Sequence, residues 1–104
     1  MDRIIIEALT PKIESFCAKW RIRELSMFGS AISGGLKPQS DVDLLVTFED
    51  GAAWTFFDFA AMQDEMEELF GRKVDLVSRK GLESSRNHIR KDAILSSAQV
   101  LYAA

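Results

Sequence analysis

Residues 22–48 read IRELSMFGSAISGGLKPQSDVDLLVTF, and this stretch sets the expected fold of the chain. Residues 22–28 are typical of a strand that ends at Gly29-Ser30, and turn-forming residues follow up to position 40. A second strand is predicted from Asp41 to Phe48, with apolar residues on both faces after Asp43. Because strands covered on both faces lie inside a sheet, we predict that this second strand is central.

Outward from these strands, apolar spacings of three and four residues predict helices over residues 4–20, 54–70 and 83–102. Gly71 is predicted to cap the middle helix at its C-terminus, and the β-branched run 73–78 is predicted to be a third strand. The predicted element order is α-β-β-α-β-α. This order indicates the α/β class, with a small sheet flanked by helices.

Composition limits the classes of function. With 104 residues, 47% of them hydrophobic, we expect one domain spanning residues 1–104 around one modest core. Thirteen Lys and Arg against sixteen Asp and Glu give a charge of −3 with no basic stripe, which disfavours a general nucleic-acid binder. No long apolar run suggests a signal peptide or membrane span, so the cytoplasm is the expected location. Cys17, the single cysteine, is expected to be a buried apolar residue.

Two carboxylates stand out on the second strand. Asp41 and Asp43 are two residues apart, so their side chains should project from the same face. Like charges held side by side near apolar residues are costly unless a cation lies between them. Magnesium prefers carboxylate oxygens and keeps positions open for substrate phosphates. The pair therefore predicts a Mg²⁺ site.

Asp75 repeats this pattern on the third strand, between Val74 and Leu76. If the two strands are neighbours, the three carboxylates can hold two metal ions about 3.5–4 Å apart, as in phosphoryl transfer. One ion would activate the attacking oxygen, and the other would hold the triphosphate and neutralise the departing pyrophosphate. The Gly29-Ser30 turn would let backbone amides and a hydroxyl approach the phosphates. Gly-Ser alone is more often an ordinary turn, so the inference depends on the whole combination.

The same residues carry a family resemblance. The chain resembles the minimal nucleotidyltransferases (MNT) of the polymerase-beta-like superfamily in one stretch: Phe28-Gly29-Ser30, then ten residues, then residues 41–46 (DVDLLV). Residues 70–77 (FGRKVDLV) and the closing stretch 93–102 are similar to the same family. The resemblance extends over almost the entire chain and implies a small mixed sheet flanked by helices.

The resemblance also implies roles for individual residues. Gly29 and Ser30 would bind the nucleotide triphosphate. Asp41, Asp43 and Asp75 would be the metal ligands and catalytic residues, and Asp75 would deprotonate the acceptor hydroxyl. ATP would be the substrate and Mg²⁺ the cofactor.

Family members are commonly encoded beside a HEPN-domain toxin and act as its antitoxin. The resemblance therefore implies a type VII-like antitoxin that transfers AMP from ATP to a hydroxyl, expected to be a tyrosine, of that toxin. One departure favours an alternative: relatives usually carry Arg where this chain has Ala31 and Ser33. Lys37 would replace these missing arginine side chains only in part. The alternative is an inactive or weakly active nucleotidyltransferase fold that neutralises its partner by binding alone. Transfer to a small molecule is disfavoured because no further acceptor domain is expected.

Two further groups of side chains lie outside the predicted metal and phosphate site. Four aromatic residues crowd the start of the middle helix, and one buried stripe cannot hold them all; we expect Phe57 and one neighbour in the core. The excess would mark an interface in a homo-oligomer or with the toxin. His88 and its basic neighbours are expected to form a solvated helix face, although a helix near the site could offer one cation to the triphosphate. The aromatic residues are Trp54, Phe56, Phe57 and Phe59, and the basic neighbours are Arg86, Arg90 and Lys91.

Overall fold

The computed structural model describes residues 3–29 and 41–104. Its elements in chain order are α1 (Arg3–Lys19), β1 (Ile22–Phe28), β2 (Val42–Phe48), α2 (Phe56–Phe70), β3 (Val74–Ser78), α3 (Arg79–Glu83), α4 (His88–Ser97) and β4 (Gln99–Ala103). The predicted α/β class is confirmed. Ser30, Ala31, Ser33 and Lys37 lie outside the described residues. Within the described ranges, no helix is both long and apolar enough to cross a membrane.

The four strands form one mixed sheet in the order β3-β2-β1-β4. Strand β1 runs antiparallel to both β2 and β4, whereas β2 and β3 are parallel and are connected through α2. Strand β2 is therefore central, as its apolar faces predicted. The carboxylate-bearing strands β2 and β3 are neighbours, which is the arrangement on which a shared site depends.

The two faces of the sheet are covered by different helices. The larger core includes residues from α1, α2 and one sheet face, among them Ile13, Phe16, Cys17, Leu25, Met27, Val42, Leu44, Val46, Met62, Met66, Phe70, Val74 and Leu76. A smaller cluster on the other face joins Phe28 and Leu45 of the sheet to Leu82 of α3 and Ile94 of α4. Successive side chains alternate between faces, so Asp43 projects on the side of Leu45. The smaller cluster thus lies on the face that carries the site.

Helix α2 begins and ends with specific capping contacts. Thr55 Oγ1 accepts a hydrogen bond from the Asp58 backbone amide at 3.1 Å, and Asp58 Oδ2 accepts one from the Thr55 amide at 2.9 Å, which completes a capping box. At the other end, Gly71 adopts the left-handed conformation (φ 69°) and its amide donates to the Glu67 carbonyl oxygen. The predicted role of Gly71 is confirmed, and the helix begins two residues later than position 54.

The C-terminal region differs from the prediction of one helix over residues 83–102. Ser84 ends α3, and Asn87 starts α4 by accepting a hydrogen bond from the Arg90 amide through its side chain. Ala98 is extended, and residues 99–103 then pair with β1 as β4. The predicted order therefore lacks one short helix and one strand. Pairing with the edge of β1 satisfies backbone groups over a long range, and this tertiary effect overrides the local helical spacing.

The prediction that Phe57 is in the core is wrong. Phe56 and Phe57 are each 84% exposed, whereas Phe59 and Trp54 pack against the larger core. Trp54 also donates its indole N–H to the Trp20 carbonyl oxygen at 3.0 Å. Helical spacing back from the buried Met66 and Met62 in α2 reaches positions 58 and 59, so Phe56 and Phe57 fall outside the buried stripe.

Cys17 is fully buried, which confirms the expectation from the sequence. Burial, with a smaller contribution from the Glu14 carboxylate, raises the pKa of its thiol to about 12. Because the thiolate is the reactive form and an unfolded cysteine has a pKa near 8.5, we expect a disulfide reagent at pH 8 to label the native protein at least about a hundredfold more slowly than the urea-unfolded chain. Equal rates, measured by absorbance of the released thiolate, would contradict this burial.

Candidate active site

Asp43 and Asp75 lie side by side in the sheet. Asp43 is the second residue of β2, with Phe28 of β1 opposite it on one side and Asp75 of β3 on the other. Residues paired across neighbouring strands direct their side chains to the same face. A hydrogen bond from the Val42 amide to the Lys73 carbonyl oxygen, 2.9 Å long, fixes the start of this pairing. The structure thus brings two of the predicted site residues together.

Asp41 directly precedes β2, two residues before Asp43. Asp41 and Asp75 are exposed, whereas Asp43 is partly buried between its neighbouring strands. Burial raises the pKa of Asp43, the negative charges of Asp75 and Asp41 raise it further, and the positive charge of Arg90 opposes them. The three carboxylates are therefore close enough for Asp43 to respond to the charges of both others.

Gly29 follows β1 immediately and contacts the same carboxylate. Its φ is +76°, a conformation that residues with a Cβ rarely adopt. A Cβ built on Gly29 would lie 2.5 Å from Asp43 Oδ2, closer than non-bonded atoms approach. Any other residue would be strained by this backbone conformation and would force the Asp43 carboxylate to move. The proposed phosphate contacts of Gly29 and Ser30 stay predictions.

The donor groups at this site suit a hard divalent cation. All three side chains offer carboxylate oxygens, and a cation would neutralise the repulsion that raises the pKa of Asp43. Over residues 3–29 and 41–104, no three His, Cys, Asp or Glu side chains already converge as a metal-binding group. The chemistry of Asp41, Asp43 and Asp75 fits Mg²⁺, and their role as its ligands stays a prediction.

Helix α4 carries Arg90, which the sequence interpretation named together with Arg86 and Lys91 without choosing among them. His88 and Arg86 are exposed, as a solvated face predicts, and Lys91 Nζ donates to the Glu83 carbonyl oxygen at 3.5 Å. Arg90 differs from them because its charge acts on Asp43. The sequence signal for Arg90 was its spacing of four residues from Ile94. That signal could place Arg90 near the site only once it was known which sheet face α4 covers.

Comparison with protein families and curated proteins gives a consistent result. Residues 12–101 match the family model described as the nucleotidyltransferase domain. The protein adenylyltransferase MntA of Thermococcus cleftensis is 36% identical over 76 residues, which cover 73% of this chain and 75% of that protein.

Solved structures share the fold. The structure of a minimal nucleotidyltransferase superposes with a TM-score of 0.71 at 31% identity and covers 95% of each chain. A complex of a tri-AMPylated Shewanella oneidensis HEPN toxin with its MNT antitoxin matches with a TM-score of 0.66 at 15% identity, over 95% of this chain and 73% of that one. At 15% identity, the second match concerns the fold alone.

Proposed function

The chain belongs to the nucleotidyltransferase domain family, and on that premise we propose that it transfers AMP from ATP to a hydroxyl group of a HEPN-domain toxin. We propose a tyrosine as the acceptor and Mg²⁺ as the required cation. Residues 1–104 would form one minimal nucleotidyltransferase domain that acts as the antitoxin of its partner. Because ATP is the donor, the cytoplasm is the proposed compartment.

One observation carries this proposal: Asp43 lies beside Asp75 in the parallel pairing of β2 and β3, with Gly29 against its carboxylate. Phosphoryl transfer needs oxygen ligands for cations next to a surface on which phosphates can rest. A backbone without a side chain at Gly29 allows phosphate to approach closely. The neighbouring strands β1, β2 and β3 therefore supply both requirements, with Gly29 directly after β1.

Each carboxylate has a place in the reaction. Asp41, Asp43 and Asp75 would hold Mg²⁺, two ions by our expectation, and the cations would supply neutralisation of the charge on the phosphates and on the departing pyrophosphate. The acceptor oxygen forms a bond to the α-phosphorus while the bond from that phosphorus to the bridging oxygen of pyrophosphate breaks. Asp75, which is exposed beside Asp43, takes up the proton of the acceptor hydroxyl. Its exposure leaves room for a protein side chain to reach it.

The relatives support the choice of acceptor and partner. MntA of Thermococcus cleftensis is named a protein adenylyltransferase, which favours a protein acceptor. The Shewanella oneidensis complex contains an AMPylated HEPN toxin and an MNT antitoxin, which favours a toxin as the partner. Phe56 and Phe57, both strongly exposed, are apolar surface that a protein partner would cover.

A second candidate function is neutralisation of the toxin by binding alone. The observation in its favour is that Ala31 and Ser33 lack the guanidinium groups that would otherwise stand near the phosphates. Such a protein would keep the fold and the partner surface and would have little or no transferase activity. The two functions differ in whether AMP becomes attached to the partner.

The test is incubation of the chain with labelled ATP, Mg²⁺ and its genomic-neighbour HEPN-domain protein, followed by intact-mass analysis. We expect the neighbour to gain at least one AMP group and the gain to vanish with EDTA. Asp64→Asn, which removes an exposed charge on α2 at the opposite sheet face, should modify the neighbour at the wild-type rate. A stable complex that silences the neighbour without any mass gain would support the binding antitoxin instead.

A further inference from the structure

Arg90 lies on the side of α4 that faces the carboxylates. Ile94, four residues later, is buried against Phe28 and Leu45 on the sheet face from which Asp43 projects. Residues four apart on a helix lie one above the other on the same side. Arg90 therefore extends the line of Ile94 by one turn on the face that carries Asp43, whose strand partner Phe28 packs with Ile94.

The backbone that carries Arg90 is held in place. Arg90 belongs to the first turn of α4, and its amide donates to Asn87 Oδ1 at 3.1 Å. Burial of Ile94 in the smaller cluster fixes the next turn against the sheet. A side chain on a capped and packed helix loses less freedom on binding a ligand than one on a loop. Arg90 is thus presented from a rigid element.

The guanidinium group itself is available to a ligand. Arg90 is exposed, and within the described part of the chain it forms no ion pair. Arg79, by contrast, is paired with Glu83 at 3.1 Å. Within the described residues, the guanidinium group of Arg90 therefore has no carboxylate partner and can bind an anionic ligand.

A nucleoside triphosphate is the anionic ligand that suits this guanidinium group. The three carboxylates and a triphosphate together carry more negative charge than two divalent cations neutralise, so a further cation near the phosphates favours binding. A guanidinium group binds phosphate oxygens through two parallel, charge-assisted hydrogen bonds. The chain has Ala31 and Ser33 after the Gly29-Ser30 turn, so these two positions supply no cation.

We propose that Arg90 binds the β- and γ-phosphates of the nucleoside triphosphate and so is a substrate-binding residue of this site. The assignment rests on the proposed nucleotidyl transfer and identifies the positively charged side chain that binds the phosphates in this reaction. Arg90 then holds the pyrophosphate portion while the α-phosphorus reacts. Its contacts are made to the triphosphate and are lost when only a monophosphate is bound.

The test compares fluorescent ATP and AMP analogues in equilibrium binding to the wild type, Arg90→Ala and Arg90→Lys, with Mg²⁺ present. We expect Arg90→Ala to weaken binding of the ATP analogue at least about tenfold, which corresponds to one lost charge-assisted hydrogen bond. Binding of the AMP analogue should change less than about twofold, because AMP lacks the phosphates in question. Arg90→Lys keeps the charge but loses the paired donors, so its affinity for the ATP analogue should be intermediate.

Arg23→Ala is the matched control, since it removes an exposed guanidinium near the opposite end of β1 from Gly29. It should bind both analogues with wild-type affinity. Equal loss of ATP and AMP binding in Arg90→Ala, or no loss of either, would overturn the role of Arg90 while leaving the proposed transfer intact. A wild-type chain that binds neither analogue would overturn the proposed transfer itself.

Discussion

Asp43→Asn is expected to lower AMP transfer by at least about a thousandfold while the chain stays folded. Asp43 is the carboxylate at the centre of the site, with Asp75 beside it and the Gly29 backbone against it. The amide has almost the same shape as the carboxylate, so packing is preserved, but it cannot supply negative charge to a cation. Transfer is measured by the rate of AMP attachment to the HEPN-domain partner.

The same substitution should stabilise the protein when no divalent cation is present. The pKa of Asp43 is raised by burial, then by Asp75 and Asp41, so the folded chain binds a proton more readily than the unfolded chain. A carboxyl group with a raised pKa destabilises the folded state at pH values above that pKa, and the penalty fades as the pH falls through it. In EDTA at pH 7 the Tm of Asp43→Asn should therefore exceed that of the wild type, and the difference should shrink towards pH 4.

Added Mg²⁺ provides the complementary control. If Asp43 is a ligand, Mg²⁺ should raise the Tm of the wild type more than that of Asp43→Asn, because a ligand that binds only the folded state stabilises it. Asp64→Asn should follow the wild type under both conditions. Wild-type transfer by Asp43→Asn would show that the site has been placed wrongly. Equal Mg²⁺ responses would remove Asp43 from the ligand set.

The sequence predicted the part of the site that depends on local alternation. Asp41 and Asp43 are two residues apart on one strand, and the β-branched run around Asp75 marks another, so both strands followed from short-range patterns. Their parallel pairing, which aligns Asp43 with Asp75, depends on the crossover through α2. The sequence did not predict that these two strands are neighbours; the shared site was predicted on the assumption that they are. The local pattern thus identified the residues, and the topology supplied their proximity.

Long-range contacts explain what the sequence did not predict. Residues 99–103 have helical spacing with the segment before them, yet they pair with β1 because that edge would otherwise be left open. Phe57 is apolar but falls outside the stripe that Met62 and Met66 define. Arg90 looked like one more residue of a polar face, and only the packing of Ile94 against the sheet places it near Asp43.

Gly29→Ala is expected to lower AMP transfer by about a hundredfold, the scale of effect that follows from displacing a reacting group by about 1 Å. The new Cβ would lie 2.5 Å from Asp43 Oδ2, so the carboxylate must move away from its position beside Asp75. The positive φ of +76° adds a backbone cost of about 1–2 kcal/mol for a residue other than glycine. Both transfer rate and Tm should therefore fall.

Gly51→Ala separates these two causes. Gly51 also has a positive φ, +84°, but a Cβ there would meet no atom within 4 Å. It should lose stability through the backbone alone and transfer AMP within about twofold of the wild-type rate. In an Asp43→Ala background the clash at Gly29 disappears, so the loss of unfolding free energy from Gly29→Ala should shrink to that of Gly51→Ala. Wild-type transfer by Gly29→Ala, or an unchanged loss in the Asp43→Ala background, would mean that the turn does not act through Asp43.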